Sequence, residues 1–286
     1  MSKTIGGLLK QATAHLSTRG LENPRTDAEY LLAFLMNRSR AFIIAHPEQR
    51  VDSQLEARYT DWIAKRGRHV PVQYLTGEQE FYGRSFRVTE AVLIPRPETE
   101  FAVEAVLDLL QQHPDFSHAV DIGTGSGCIA VTLACEAPRL SLSATDLSPE
   151  ALEVARENAR THNCLDRITF LPGRTLEPVI AAGNLVDLVV SNPPYIGYAE
   201  RDVVAREVLE YEPAGALFAG EDGTEIIGEL FSQAPSVLQA EGFLVLEVGY
   251  QQALKVKQLG QASGWKHLES RFDLAGIERC LIFRRA

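Results

Sequence analysis

Four consecutive residues, Asn192-Pro193-Pro194-Tyr195, combine the groups needed to hold a flat NH2 group. They follow an apolar run over 185–190, and ligands of open α/β sheets bind beyond the carboxyl ends of the strands. Asn192 offers a side-chain oxygen, the prolines stiffen the chain, and the Tyr195 ring offers a face for packing. Asn-Pro is also common in turns, but the position after a strand favours a binding site. The motif predicts recognition of a carboxamide or of the exocyclic amine of a base.

A glycine-rich loop over 123–127 lies between an apolar run that ends in Asp121-Ile122 and a helix start at Cys128. Glycine lets the backbone turn tightly and approach a ligand closely. The spacing G-x-G-x-G departs from the dinucleotide fingerprint G-x-G-x-x-G, and the carboxylate of Asp121 would repel a pyrophosphate. It would attract the ammonium group of S-adenosylmethionine, so this cofactor is favoured over NAD. The predicted cofactor-binding residues here are Asp121, Gly123, Thr124, Gly125, Ser126 and Gly127.

A second acidic residue, Asp146, ends the next predicted strand, 142–146, nineteen residues after Gly127. A carboxylate at this point can accept hydrogen bonds from both ribose hydroxyls, as in other nucleoside-binding α/β folds. The residues that follow, Ser148-Pro149, are typical of a helix start, with Ser148 as N-cap and proline at the first helical position. Both roles are compatible, and the order of strand, loop, helix, strand and acid predicts an S-adenosylmethionine site.

Charge argues against a nucleic-acid substrate. The chain has 286 residues and a net charge of −10. Residues 1–70 carry eleven Lys and Arg against seven Asp and Glu, whereas the remainder carries seventeen against thirty-one. A catalytic region this acidic would repel a phosphate backbone unless it had a local basic patch.

Cysteine, histidine and hydropathy patterns exclude other classes. The four cysteines are scattered without a C-x-x-C pair, and the seven histidines are dispersed, so neither a disulfide framework nor a metal site is expected. The first residues lack the apolar stretch of a signal peptide, and no run approaches the ~20 apolar residues of a membrane span. We expect a cytoplasmic protein, and nothing in the sequence demands more than a monomer.

The first seventy residues have the apolar spacing of short amphipathic helices. One helix is expected over 5–16, ending near Gly20, and another begins with Thr26 or Asp27 as its N-cap. A further helix covers 53–66. This pattern predicts a small helical N-terminal domain.

The remainder of the chain reads as a linker and an α/β domain. Residues 71–95 alternate aromatic and β-branched residues around two glycines, which predicts a connecting β-hairpin. Over 96–286, strands and helices alternate, as in a mostly parallel, doubly wound, Rossmann-like sheet. The expected strands lie at 118–122, 140–146, 168–171, 185–191, 243–248, 267–273 and 278–284, and the helices at 98–112, 128–137, 149–163, 224–240 and 251–263. The long polar stretch 197–223 is expected to be a functional loop or lid.

With these motifs the chain resembles the class I S-adenosylmethionine-dependent methyltransferases, and among them the peptide chain release factor glutamine methyltransferases. The segments that carry the resemblance are Pro71 to Gly77, Ile94 to Glu100, Asp121 to Gly127, Asn192 to Tyr195 and Tyr211 to Pro213, with Ala216-Leu217 and Asp222-Gly223. The resemblance implies a seven-stranded sheet and methylation of the glutamine side-chain nitrogen in the Gly-Gly-Gln motif of release factors. It also implies that the helical domain, 1–70, helps to hold the release factor.

For the corner 192–195 we hypothesise a role in orienting the substrate amide. The side-chain oxygen of Asn192 and the backbone carbonyl of Pro193 would accept the two amide hydrogens, and Tyr195 would pack on the amide plane. Asn192, Pro193 and Tyr195 are therefore the predicted catalytic residues; Pro194 joins them in binding substrate, and Asn192 also adjoins the cofactor. Family members often carry an acidic or aromatic residue near the adenine, where this chain has 172–177; Thr175 is the candidate there.

Three other functions compete with this interpretation. A ribosomal-protein glutamine methyltransferase would share the corner motif, but those relatives differ in the stretch that begins at Ile94. A nucleic-acid amino-methyltransferase would present the same NH2 geometry, but it would have to flip its base out of the stack, and no basic cleft is visible. A non-catalytic cofactor-binding protein would have no need of the intact corner.

Overall fold

The computed structural model describes residues 3–286, and the chain divides into two compact units. One unit runs to Glu78 and also includes Ala205–Tyr211. The other comprises Gln79–Val204 and Glu212–Ala286. We call them the helical unit and the sheet unit.

The helical unit is built from short amphipathic helices around one apolar core. Its helices are α1 (Ile5–Ser17), α2 (Pro24–Met36), α3 (Arg40–Ala45), α4 (Ser53–Arg66), α5 (Val72–Thr76) and α10 (Arg206–Tyr211). Leu31 and Leu32 of α2 are fully buried, and the Tyr59 hydroxyl of α4 donates to the Ala28 carbonyl at 3.0 Å. The predicted helices over 5–16 and 53–66 are confirmed, whereas α3 was not predicted.

The start of α2 differs from the prediction. Its N-cap is Asn23, and Pro24 occupies the first helical turn, so neither Thr26 nor Asp27 is the N-cap as the sequence suggested. Proline is favoured there because the first helical N–H groups have no partner within the helix. Asp27 instead accepts a hydrogen bond from the Arg66 Nε at 2.7 Å.

The stretch 71–95 is only partly the predicted hairpin. Val72–Thr76 forms α5, which Gly77 ends in the left-handed conformation at φ +80°. The hairpin strands are β1 (Glu78–Phe81) and β2 (Arg84–Arg87). Five residues of the predicted hairpin are therefore helical, because Pro71 and Gly77 delimit a single helical turn between them.

The sheet unit has a seven-stranded sheet with the order β5-β4-β3-β6-β7-β9-β8. The strands are β3 (His118–Ile122), β4 (Ser141–Asp146), β5 (Ile168–Pro172), β6 (Val186–Ser191), β7 (Leu238–Glu247), β8 (Trp265–Phe272) and β9 (Glu278–Arg285). β3 to β7 pair in parallel, and β9 pairs antiparallel to both β7 and β8. The predicted Rossmann-like, seven-stranded fold is confirmed.

Helices surround the sheet and bury its two faces in separate apolar clusters. They are α6 (Glu100–Gln112), α7 (Cys128–Glu136), α8 (Pro149–Thr161), α9 (Glu177–Ala182), α11 (Ala214–Leu217), α12 (Glu225–Gln233) and α13 (Ala253–Ala262). The sequence did not predict α9. The predicted helix over 224–240 is too long, because α12 ends at Gln233 and a 3-10 turn containing Pro235 leads into β7.

The stretch 197–223 is more structured than a loop. It contains a 3-10 helix, Tyr198–Val203, followed by α10 and α11. Within the helical unit, Glu207 of α10 accepts from the Arg66 Nη1 at 2.6 Å, and the Tyr211 hydroxyl donates to the Arg68 carbonyl at 2.8 Å. A segment that the sequence places between two strands thus completes the helical unit.

Candidate functional site

The two predicted motifs meet at the carboxyl edge of the sheet, where the strand order reverses. β3 and β6 are neighbours, with Ile122 opposite Ser191, so the glycine loop and the Asn192 corner begin side by side. The Ser191 hydroxyl donates to the Ile122 carbonyl at 2.8 Å, and a Cβ on Gly123 would lie 4.0 Å from the Asn192 carbonyl oxygen. Such a reversal point is where open α/β sheets bind their ligands.

The glycine loop has the backbone conformation that its sequence predicts. Gly123, Gly125 and Gly127 have φ angles of +69°, +55° and +80°, which residues other than glycine rarely adopt. A Cβ on Gly127 would lie 3.0 Å from the Ala155 Cβ, so this glycine also allows α8 to pack closely. The open concave backbone suits a ligand that lies against the loop.

Asp121 lies beneath the loop and is fully buried. Its Oδ2 accepts from the Thr124 hydroxyl at 2.7 Å and from the Ala130 N–H at 3.2 Å. Its Oδ1 has no hydrogen-bond partner within residues 3–286. Burial raises the pKa of this carboxyl to about 7. An unpaired acceptor next to the loop fits a ligand with an ammonium group, because that group would both donate a hydrogen bond and favour the ionised carboxylate.

Asp146, at the end of β4, is half-buried and holds the loop in place. Its Oδ2 accepts from the Gly125 N–H and its Oδ1 from the Ser148 N–H, each at 2.9 Å. Burial raises its pKa. Each carboxylate oxygen has a second lone pair, so both retain capacity for a ribose hydroxyl. The predicted N-cap is confirmed, since the Ser148 hydroxyl accepts from the Ala151 N–H at 3.1 Å.

Three predicted cofactor-binding side chains are buried rather than presented to a ligand. Thr124 and Ser126 are only 4% and 2% exposed, and the hydroxyl of Thr124 is bonded to Asp121. Thr175, at φ +48°, donates to the Gln233 Oε1 at 2.8 Å. These side chains shape the loops from within, and their contact with the cofactor stays a prediction.

The corner 192–195 is fixed by contacts on both sides. The Asn192 Nδ2 donates to the Thr99 Oγ1 at 3.0 Å, and the Gln252 Nε2 donates to the Tyr195 carbonyl at 2.5 Å. The Ile196 N–H donates to the Leu217 carbonyl at 3.0 Å. With its NH2 bonded to Thr99, Asn192 points its side-chain oxygen away from that hydroxyl.

Tyr195 is suited to packing rather than to proton transfer. Its side chain is half-buried, and burial, together with the nearby charge of Glu247, raises the pKa of its hydroxyl above the ordinary value of 10.0. The phenol is therefore neutral at physiological pH. A Cβ on Gly249 would lie 2.9 Å from the ring's Cδ2, so glycine there gives the ring its space.

Three buried polar residues of the sheet unit were not predicted from the sequence. Thr99 precedes α6, Glu247 ends the apolar strand β7, and Glu212 follows α10. Glu212, 6% exposed, accepts from the Arg96 Nη2 at 2.5 Å and from the Ile94 N–H at 3.2 Å. The available signal was a polar residue at the end of a buried strand, which for Glu247 is as clear as it was for Asp146.

Residues 3–286 contain no group of three or more His, Cys, Asp or Glu side chains placed to hold a metal ion. Across the same residues, no helix has the length and apolar character required to span a bilayer.

Comparison with known proteins gives consistent matches along the chain. Residues 7–77 match a family model described as the PrmC N-terminal domain, and residues 96–221 match one described as the methyltransferase small domain. Release factor glutamine methyltransferase of Koribacter versatilis is 42% identical over 282 residues, which cover 99% of each chain. The protein of the same name from Nitratidesulfovibrio vulgaris is 38% identical over 284 residues, covering 99% of this chain and 95% of its own.

Among solved structures, the fold is similar to the catalytic domain of hMettl16 in complex with MAT2A 3′UTR hairpin 1. The TM-score is 0.55 at 17% identity, covering 88% of this chain and 90% of that one. At this identity the similarity concerns the fold alone.

Proposed function

Because this chain belongs to the release factor glutamine methyltransferase family, we propose that it transfers a methyl group from S-adenosylmethionine to a glutamine side-chain nitrogen of a peptide chain release factor. The target is the glutamine of the Gly-Gly-Gln motif. The observation that carries this proposal is the corner itself. The Asn192 NH2 is engaged by Thr99, so the amide oxygen can accept from a substrate NH2.

An amide nitrogen is a weak nucleophile because its lone pair is delocalised into the carbonyl. When bound, S-adenosylmethionine supplies an activated methyl group whose leaving group is a neutral thioether. The residues of the corner orient the nitrogen: the Asn192 Oδ1 and the Pro193 carbonyl accept its two hydrogens, and these acceptors stabilise the positive charge that develops there. The methylated nitrogen then loses one of its protons to water, which leaves the neutral N-methyl amide. Tyr195 packs on the amide plane. Orientation of this kind can lower a barrier by roughly 7–11 kcal/mol.

The glycine loop and its two carboxyls form the proposed cofactor site. Asp121 would face the ammonium group, since its Oδ1 lacks a partner within the described chain. Asp146 would accept from the ribose hydroxyls while it holds the Gly125 N–H. Both positions adjoin the corner because β3 lies between β4 and β6. The product of transfer would be S-adenosylhomocysteine.

The helical unit is the proposed holder of the release factor. Residues 1–70 have an excess of basic residues in a chain that is acidic overall, and an excess of basic charge steers association with an acidic partner surface. The linker 71–95 and the catalytic region 96–286 complete the proposed organisation. We propose that the chain acts as a cytoplasmic monomer without a direct nucleic-acid partner.

Mass spectrometry of a release factor incubated with the protein and isotopically labelled S-adenosylmethionine tests the function. We expect one labelled methyl group on the Gly-Gly-Gln glutamine, and none when that glutamine is replaced by alanine. Parallel reactions contain ribosomal proteins and total RNA. Label on a ribosomal-protein glutamine or on a base, with none on the release factor, would overturn the proposed substrate.

A further inference from the structure

A chain of buried polar groups runs from the corner into the sheet. The Asn192 Nδ2 donates to the Thr99 Oγ1 at 3.0 Å, and the carboxyl of Glu247 lies beside the Thr99 hydroxyl. Thr99 and Glu247 are 2% and 3% exposed. Side chains this buried are held in one arrangement, because water cannot replace a lost partner.

The sheet register brings the members of this chain together. In the parallel pair of β6 and β7, Ser191 lies opposite Leu246. The residues that follow are Asn192, directly after β6, and Glu247, the last residue of β7, so both lie at the same edge of the sheet. Thr99 stands directly before α6 and lies between them. Register thus brings Asn192 and Glu247 to one edge, and the hydrogen bond from Asn192 brings Thr99 to it as well.

The hydrogen bond from Asn192 determines what the Thr99 hydroxyl can offer to Glu247. A threonine hydroxyl has one proton to donate and two lone pairs to accept with. Because Thr99 accepts from the Asn192 NH2, its own proton is available for the Glu247 carboxylate, which can only accept when ionised. Without the Glu247 acceptor, the Thr99 hydroxyl could donate its proton to Asn192 instead. The Asn192 amide would then be reversed, with its oxygen accepting from Thr99.

We propose that Thr99 and Glu247 are positioning residues that fix the orientation of the Asn192 amide, so that its oxygen rather than its NH2 meets the substrate nitrogen. The proposal rests on the proposed function, because it assigns the direction in which the corner accepts hydrogens. With the amide reversed, the Asn192 NH2 would face the NH2 of the substrate. Two donors would then oppose each other, and the nitrogen would no longer be held in line.

Glu247 is the buried end of this chain, and no direct ion pair neutralises it among the described residues. Its Oε2 has no hydrogen-bond partner within residues 3–286. The charges that act on it are those of Glu98, Arg279 and Arg96, and these arginines form ion pairs with Asp273 and Glu212. A carboxyl kept without its own cation serves as a hydrogen-bond acceptor rather than as half of an ion pair.

The first test replaces the Thr99 hydroxyl while keeping its shape. In Thr99→Val we expect kcat to fall about 10- to 100-fold, since small misplacement of reacting groups has effects of this size. The dissociation constant for S-adenosylmethionine should change little, and the melting temperature should fall by a few degrees, because a buried polar group loses its partner. Thr99→Ser, which restores the hydroxyl, should recover most of the lost turnover. Thr132→Val is the matched control, because Thr132 is fully buried and its hydroxyl has no partner in the described chain.

The second test removes the acceptor. Glu247→Leu should lower kcat to a similar degree, and the double variant with Thr99→Val should be no slower than the slower single variant, because both act through Asn192. Independent, multiplicative losses would contradict the proposal, as would a Thr99→Val enzyme with near-normal kcat. A Thr99→Ser enzyme as slow as the valine variant would contradict it too. If wild-type protein fails to methylate release factor, the proposed function fails instead, which separates the two results.

Discussion

The buried carboxyl of Glu29 in the helical unit differs from those of Asp121 and Glu247 at the sheet edge in whether it has an arginine partner. In the helical unit, Glu29 is 1% exposed. Its carboxylate forms ion pairs with the Nε atoms of Arg25 and Arg40, each at 2.7 Å. These arginines lower its pKa despite its burial. At the sheet edge, Asp121 and Glu247 are equally buried but have no arginine of their own, and burial raises the pKa of each to about 7.

The presence or absence of arginine partners indicates what each buried carboxyl does. A buried carboxylate with two cations is a structural element, whose loss would be felt in stability. A buried carboxyl with an unpaired oxygen is costly to keep, and such groups cluster at functional sites. We therefore expect changes at the sheet edge to affect mainly activity and changes at Glu29 to affect mainly stability.

The largest effect is expected for Asn192→Ala, which removes the amide of the corner. Turnover should fall by about 10²- to 10³-fold, the usual effect of deleting one preorganised hydrogen-bonding group. The affinity for S-adenosylmethionine and the unfolding midpoint should remain close to wild type, as isothermal titration and urea denaturation would report. Near-normal turnover would contradict the proposed role of Asn192 in the reaction.

The structural role of Glu29 is tested by removing its two arginine partners. Replacing both Arg25 and Arg40 with alanine should destabilise the helical unit by about 3 kcal/mol, the lower end of the range for an uncompensated buried charge, because both arginines are partly exposed. Hydrogen exchange followed by mass spectrometry would locate the loss in this unit. Arg206→Ala is the control, since the pair Arg206–Glu210 is exposed on both sides; equal effects of the two changes would refute the distinction.

Substitutions at two glycines test whether activity depends on the exact position of the corner. A Cβ on Gly223, at φ +72°, would lie 2.4 Å from the Tyr195 carbonyl oxygen, so Gly223→Ala must displace the corner. We expect kcat to drop about tenfold or more. Gly264 has a similar φ of +81° but nothing within 4 Å. Gly264→Ala should therefore show only the backbone strain, as a small loss of stability with unchanged kcat.

The smallest effect is the opposite pH dependence of the two regions. The folded pKa of Glu247 lies above its ordinary value of 4.5, so its contribution to stability is present below pH 4.5 and is lost as pH rises through about 7. Glu29 has a lowered pKa, and its contribution is present above 4.5 and is lost as pH falls.

Glu247→Gln should therefore be more stable than wild type at pH 8, by about 1–3 kcal/mol, and equal to it near pH 4.5. Chemical denaturation at several pH values would measure this difference. A difference that does not change with pH would show that Glu247 is ionised throughout.

Local patterns predicted the elements whose signal lies within a few residues. The strands β3, β4 and β6 and the Ser148 N-cap followed from apolar runs and capping chemistry. The errors arose where two signals overlapped. Pro71 and Gly77 enclose one helical turn inside a stretch of aromatic and β-branched residues, and apolar residues near 237 continue the helical pattern of α12 into β7.

The sequence by itself determined the fold class, the glycine loop and the Asn192 corner, because each depends on residue types that are adjacent in the chain. Only the tertiary structure decided which groups support that corner. Thr99 and Glu247 lie 93 residues before and 55 residues after Asn192. The pairing of β6 with β7 brings Glu247 to the edge where Asn192 lies, and the hydrogen bond from Asn192 links Thr99 to the same edge. Hydrogen bonds between buried side chains depend on distances of about 3 Å, which strand order and register set and local sequence does not encode.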